Sequence, residues 1–92
     1  MIQFLVHEKG DTVGVATVDI KAKETAKGLY MDTQGPIEIE ALEEIPLGHK
    51  IALVAMGKGD TVIKYGHDIG VVSAPFSKGA HVHIHNLKTK RW

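Results

Sequence analysis

Apolar residues in this chain fall into short runs, several of them alternating with polar residues at period two, and turn-forming residues interrupt them at short intervals. Ile37-Glu38-Ile39-Glu40 is the clearest alternation, and the runs at 12–18 and 68–72 are rich in Val, Ile and Thr. Alternation puts successive side chains on opposite faces of an extended chain, and β-branched residues suit a pleated surface, so these segments read as half-buried strands. The punctuation is Lys9-Gly10-Asp11, Thr33-Gln34-Gly35-Pro36, Pro46-Leu47-Gly48, Gly57-Lys58-Gly59-Asp60, Tyr65-Gly66-His67-Asp68 and Ser77-Lys78-Gly79. No window of helical length carries a 3.6-residue apolar stripe. The best candidate, residues 20–27, is mostly Lys, Ala and Glu and would form one helical turn or two. The pattern predicts an all-β domain of about seven or eight short strands with a barrel-like or folded-hairpin architecture.

Lys9-Gly10-Asp11-Thr12-Val13 recurs as Lys58-Gly59-Asp60-Thr61-Val62. Two similar β turns would account for this echo, which is too short for the unit of a repeat array.

Composition narrows the function classes. A chain of 92 residues builds one domain, taken as 1–92, without room for a separate catalytic lobe. With no cysteine, His and carboxylates are its only strong metal ligands. Eleven basic residues balance eleven acidic ones, and the tail trio Lys88, Lys90 and Arg91 makes no nucleic-acid footprint. Apolar stretches such as 51–56 are far below the ~20 residues of a membrane helix, and the start Met1-Ile2-Gln3-Phe4 lacks a signal-peptide layout. The expectation is a soluble, cytoplasmic protein with neither nucleic acid nor membrane as partner.

The segment best suited to chemistry is His81-Val82-His83-Ile84-His85-Asn86. Strict alternation in a strand would send the three imidazoles to one face and Val82 and Ile84 to the other, with successive histidines about 6.6–7 Å apart. Two imidazoles at that spacing can converge on one divalent ion, with a third ligand from elsewhere. Histidine also serves as a general base near neutral pH, and the Asn86 amide can orient a hydroxyl or carboxylate. The plainer reading is a polar face on an edge strand.

In Ile45-Pro46-Leu47-Gly48-His49-Lys50-Ile51-Ala52-Leu53 a Pro/Gly turn delivers His49 and Lys50 into a strand. Adjacent residues face opposite ways, so one would point to a site and the other to solvent, and a plain turn with a surface lysine is the alternative. Lys64-Tyr65-Gly66-His67 offers a cation and a phenol for an anion, or is a surface hairpin. His7 and Glu8 read as surface residues. No phosphate loop, Ser-His-Asp order or paired-carboxylate motif occurs.

Taken in order, residues 43–53, 59–66 (Gly59-Asp60-Thr61-Val62-Ile63-Lys64-Tyr65-Gly66) and 79–86 (Gly79-Ala80-His81-Val82-His83-Ile84-His85-Asn86) resemble the motifs of a lyase family. That family includes altronate and galactarate dehydratases and sulfolactate sulfo-lyase. The similarity extends from Phe4-Leu5-Val6-His7 to the closing Asn86-Leu87-Lys88-Thr89-Lys90-Arg91-Trp92. It implies a β-clip unit, the SAF domain, which some members keep as a small subunit beside a large lyase subunit. One departure is Ala80, where the family usually carries Glu.

The resemblance further implies a reaction. The family's substrates are 2-hydroxy acids with a leaving group on carbon 3; loss of the carbon-2 proton expels it, and the enol becomes a 2-oxo acid. Sulfolactate gives pyruvate and sulfite, and altronate gives water and a 2-oxo-3-deoxy acid. Such a step calls for a positioned base and a divalent ion or cation to stabilise the developing enediolate. The residues expected to act are His83 and His85 at the metal or as base and Asn86 on the substrate, with His49 and Lys64 receiving the anionic end. The resemblance suggests an ion such as Fe2+, and a large lyase subunit would complete the site. Two rival readings remain: a docking module without chemistry of its own, and an independent carbohydrate-binding SAF module.

Overall fold

The alternating runs become nine strands in the computed structural model, which describes residues 1–64 and 66–89. Tyr65, the phenol of the Lys64-Tyr65-Gly66-His67 segment, and Lys90, Arg91 and Trp92 of the tail lie outside the described residues. The strands are β1 (Phe4–Val6), β2 (Val13–Ala16), β3 (Thr25–Tyr30), β4 (Pro36–Glu40), β5 (Lys50–Ala52), β6 (Thr61–Lys64), β7 (His67–Val72), β8 (His81–Val82) and β9 (Leu87–Thr89). No helix occurs among the described residues, and none is therefore long and apolar enough to cross a membrane. Residues 20–27, the helical candidate, form an isolated bridge at Ile20, a turn and the start of β3 instead. Lys23 sits at φ 67° in that turn, a left-handed conformation that breaks any helical run.

Six strands make one sheet in the order β4-β3-β1-β2-β5-β8, and β6-β7-β9 make a second. Only β1 and β3 run parallel among the described pairs. Alternation sets two cores on the two faces of the larger sheet. Phe4, Ala16 and Ile51 point to one side with Ile20, Ile39 and Ile45. Val13, Ala52 and Val82 point to the other, where Val62, Val72 and Leu87 of the smaller sheet cover them. Phe4, fully buried, finds room because Gly28 stands opposite it on β3 and Gly14 lies beside it on β2. A Cβ at Gly14 would come within 2.9 Å of the Phe4 ring, and one at Gly28 would enter it.

The connections repeat a single device four times, at residues 17–25, 42–50, 53–61 and 73–81. Each has a bridging apolar residue, with Ile20 paired to Ile45 and Met56 to Phe76. A turn follows, closed by Glu24 N to Lys21 O, His49 N to Pro46 O, Asp60 N to Gly57 O and Ala80 N to Ser77 O at 2.9–3.2 Å. The third turn residue has positive φ in all four: Lys23, Gly48, Gly59 and Gly79. Its N–H donates to a carbonyl at the end of the strand ahead of the partner copy: from Gly48 to Ala16 O, from Gly59 to Val72 O and from Gly79 to Ala52 O, all at 2.9 Å, and from Lys23 to Ala41 O, one residue past β4. Two of these clips carry residues that matter below: His49 closes the turn of the second, and His81 ends the fourth. The Lys9-Gly10-Asp11 echo is the same kind of turn: Asp11 and Asp60 each bond back three residues, to Glu8 and to Gly57, through both backbone and carboxylate.

Candidate functional site

His81 lies opposite Ile51 where β8 pairs with β5, and Lys50, next to His49, lies opposite Val82. Val82, fully buried, anchors the short edge strand. The chain then leaves the strand path. His83 O accepts hydrogen bonds from Asn86 N and Leu87 N at 3.1 and 2.8 Å, so residues 83–86 form a turn between β8 and β9. The expectation of one strand through 81–86 is therefore corrected. Ile84, expected on the same face as Val82, is 82% exposed. The turn holds because Asn86, 6% exposed, spans it: Oδ1 accepts from His83 N at 2.9 Å, and Nδ2 donates to His81 O at 2.8 Å.

The imidazoles nevertheless gather on one side. His49 stacks on His83 with ring centroids 3.9 Å apart and on His81 at 5.0 Å. His85 is tilted at 42° to His81, with centroids 5.0 Å apart. His49 Nδ1 and His81 Nε2 are 2.7 Å apart, a hydrogen bond that one of the two must donate. Two groups bring a ligand atom from each member to within 4.8 Å of the others: His49, His81 and His83, and Glu43, His81 and His85. His81 belongs to both.

Charge and burial favour neutral rings. The His81 pKa is lowered from the ordinary 6.5 by desolvation, then by His85, His49 and His83, with Glu43 pulling the other way. His83 is lowered by desolvation, then by His49, Lys50 and His85. A neutral imidazole has the lone pair that a base or a metal ligand requires. The Lys50 ammonium is half-buried, and burial and then the Lys64 charge lower its pKa.

Of the residues singled out from sequence, His49, His83 and His85 come together, and Asn86 lies beneath them with its amide engaged by the turn backbone. Lys64 does not join them. It lies on β6 opposite His67 and lines a separate cavity of about 190 Å³ with Leu5, His7, Val13, Val15 and Met31. Lys50 connects the two places, since its partner across β2 is Val15 of that cavity and its charge acts on His83. The reading of position 50 as solvent-facing is thus incomplete. His81 was visible in the histidine alternation but carried no assignment, and Glu43 gave no signal, being close only through the fold. Ala80, where the resemblance leads one to expect Glu, is 5% exposed and packs in the second core.

Comparison with known proteins gives a consistent picture. The profile of the altronate/galactarate dehydratase SAF domain matches residues 2–90. The (2R)-sulfolactate sulfo-lyase subunit alpha of Chromohalobacter salexigens is 44% identical over 92 residues, covering 99% of this chain and 98% of that one. Its counterpart in Paracoccus pantotrophus is 56% identical over 54 residues, 59% of this chain and 81% of that one. Altronate dehydratase of Bacillus subtilis is 39% identical over 89 residues, which are 97% of this chain and 17% of that protein.

Proposed function

The chain belongs to the altronate/galactarate dehydratase SAF-domain family, and from that membership we propose that it is the small subunit of a two-subunit lyase cleaving sulfolactate by β-elimination. The observation that carries the reading is its end-to-end match to a subunit alpha. A sugar-acid dehydratase is the second reading, favoured by the match of 97% of the chain to part of altronate dehydratase. In either case a large subunit supplies the rest of the site, and the assembly is cytoplasmic.

In this reading the His83 imidazole, neutral near pH 7, takes the proton from carbon 2. The C–H electrons form the carbon 2–carbon 3 double bond. The carbon–sulfur pair leaves with sulfite, and the enol takes a proton on carbon 3 as its hydroxyl proton is released, giving pyruvate. Lys50 and Lys64 present positive charge to the anionic end of the substrate, and His49, which receives that end with them, is stacked on the base. Asn86 fixes the turn that carries His81 and His83, so its part is positioning.

The residues fit a divalent ion such as Fe2+. Half-buried imidazoles whose charged forms are disfavoured, with a carboxylate alongside, make a suitable donor set. His81 belongs to both candidate groups, with either His49 and His83 or Glu43 and His85. When bound, such an ion stabilises charge developing on the substrate carboxylate and hydroxyl.

The test is co-expression with the large subunit, followed by assays for sulfite and pyruvate from sulfolactate and for 2-oxo acid from altronate. Turnover of sulfolactate that needs both chains, and that His83→Ala removes while the chains still co-purify, is the expected result. Turnover by the large subunit alone, or unaffected by His83→Ala, would make this chain a docking module. No partner and no turnover would leave an independent binding module.

A further inference from the structure

Two candidate ligand sets share His81, and ring geometry separates them. Two nitrogens bound tetrahedrally to one ion at about 2.1 Å sit about 3.4 Å apart. His49 Nδ1 and His81 Nε2 are closer than that, at 2.7 Å. The rings of His49, His81 and His83 are also nearly parallel, with interplanar angles of 22°, 14° and 11°. His49 and His83 lie face to face with centroids 3.9 Å apart, so their lone pairs run side by side, and the nitrogens of His49 and His81 face each other in a hydrogen bond; the three rings do not converge on one ion. His85 differs: it is inclined at 42° to His81. Glu43 places its carboxylate within 4.8 Å of ligand nitrogens on both rings, and Glu43 and His85 are exposed, which leaves the far side open to a substrate.

We propose that Glu43, His81 and His85 hold a divalent transition-metal ion, and that His49 and His83 do not coordinate it. Two imidazoles and one carboxylate with open positions are the donor set of non-haem Fe(II) sites. His81 has two ring nitrogens, so it can bind the ion with one while the other keeps its hydrogen bond to His49, the second-layer support that metal-bound imidazoles ordinarily have. The His83 imidazole then remains a base beside the ion. The carboxylate is supplied by a residue 38 positions before His81, on the clip whose Leu42 N donates to Gly79 O at 2.9 Å.

The proposal rests on the metal-assisted lyase reading, but its test measures metal binding and not turnover. The full 92-residue chain, alone and with its large subunit, is titrated with Co2+ and Fe2+, following affinity by calorimetry and geometry by the Co2+ d–d spectrum. Glu43→Gln and His85→Ala, both at exposed positions, are expected to weaken binding tenfold or more, with circular dichroism unchanged. His83→Gln is expected to stay within about threefold of the parent, and His49→Gln to weaken binding by about tenfold, as second-layer changes do. A loss at His83→Gln matching that at Glu43→Gln, an unchanged Glu43→Gln, or a parent chain that binds no ion in either setting overturns it. Failure of the lyase reading would be seen separately, as absence of turnover in a complex that still binds metal through Glu43.

Discussion

His49 Nδ1 and His81 Nε2 share one proton across 2.7 Å, so the two rings cannot both be imidazolium without placing two N–H groups nose to nose. Burial first, and then the charges of the neighbouring histidines, lower the His81 and His83 pKa values below the ordinary 6.5. In the unfolded chain these histidines protonate first as pH falls. Between 6.5 and the lower folded values the unfolded state therefore binds more protons, and stability contributed by the neutral cluster is present above that window and lost through it. Thermal denaturation of the metal-free chain from pH 7.5 to 5 should show a falling midpoint, and His81→Gln/His83→Gln should flatten the fall. Parallel curves for parent and double variant would refute the account.

Asn86 joins both histidines it serves through one buried amide. Asn86→Ala leaves His83 N and His81 O without their side-chain partners. An orphaned buried polar group costs about 1–3 kcal/mol, so a loss of about 2–3 kcal/mol is expected in urea denaturation. Asn86→Asp keeps the acceptor for His83 N but sets a carboxylate against the His81 carbonyl, and should recover less than half of that loss. Full stability for Asn86→Ala would mean that the turn closes without it.

The legible part of the site was what depends on local alternation. Val82 is buried and His81 and His83 share a side, as period two requires. Ile84 was not legible because Asn86 pulls the chain into a turn, and nothing in an alternating string marks where an amide will cap it. Glu43 was hidden for a different reason: its approach to His81 depends on two clips meeting at the sheet edge. The fold class could be read from the short β-branched runs, yet the fourfold clip could not. Each copy demands only one apolar bridge residue and one residue at positive φ, and Lys23 occupies the latter place where the other copies have Gly.

Phe4 and Gly28 make a direct test of the first core. Gly28→Ala would put a methyl group into the Phe4 ring, which is fully buried and cannot move away. Overpacking of this kind costs about 1–3 kcal/mol. Phe4→Leu in the Gly28→Ala background should recover part of the loss, whereas additive losses in the double variant would place the strain elsewhere.

Lys23 bears a conformational cost that its three counterparts avoid. Left-handed backbone costs a side-chain-bearing residue about 1–2 kcal/mol, while Gly adds about 0.5–1 kcal/mol through the freedom of the unfolded chain. Lys23→Gly should therefore raise stability by about 0.5–1 kcal/mol, and Gly48→Ala, at φ 84° with open space around it, should lower it by about 1 kcal/mol. A destabilised Lys23→Gly would show that the lysine side chain has a contact worth more than its strain.

Lys50 is the cation through which the Lys64 cavity communicates with the histidines. It stands opposite Val15 on one side and Val82 on the other, half-buried, with Lys64 as the neighbour whose charge acts on it. Two ammonium groups brought near each other in a partly desolvated place repel, and an anion between or beside them relieves that repulsion. If the anionic end of the substrate docks there, Lys50→Met should raise KM about tenfold, equivalent to about 1.4 kcal/mol, and leave kcat within about twofold, since the charge acts on bound and reacting substrate alike. Lys64→Met should behave in the same way, and the two losses should be less than additive because one anion is shared. The measurement is steady-state kinetics of the assembled enzyme. A fall in kcat at unchanged KM would instead assign Lys50 to the reacting centre, acting through His83, and would remove the anion site from this face of the sheet.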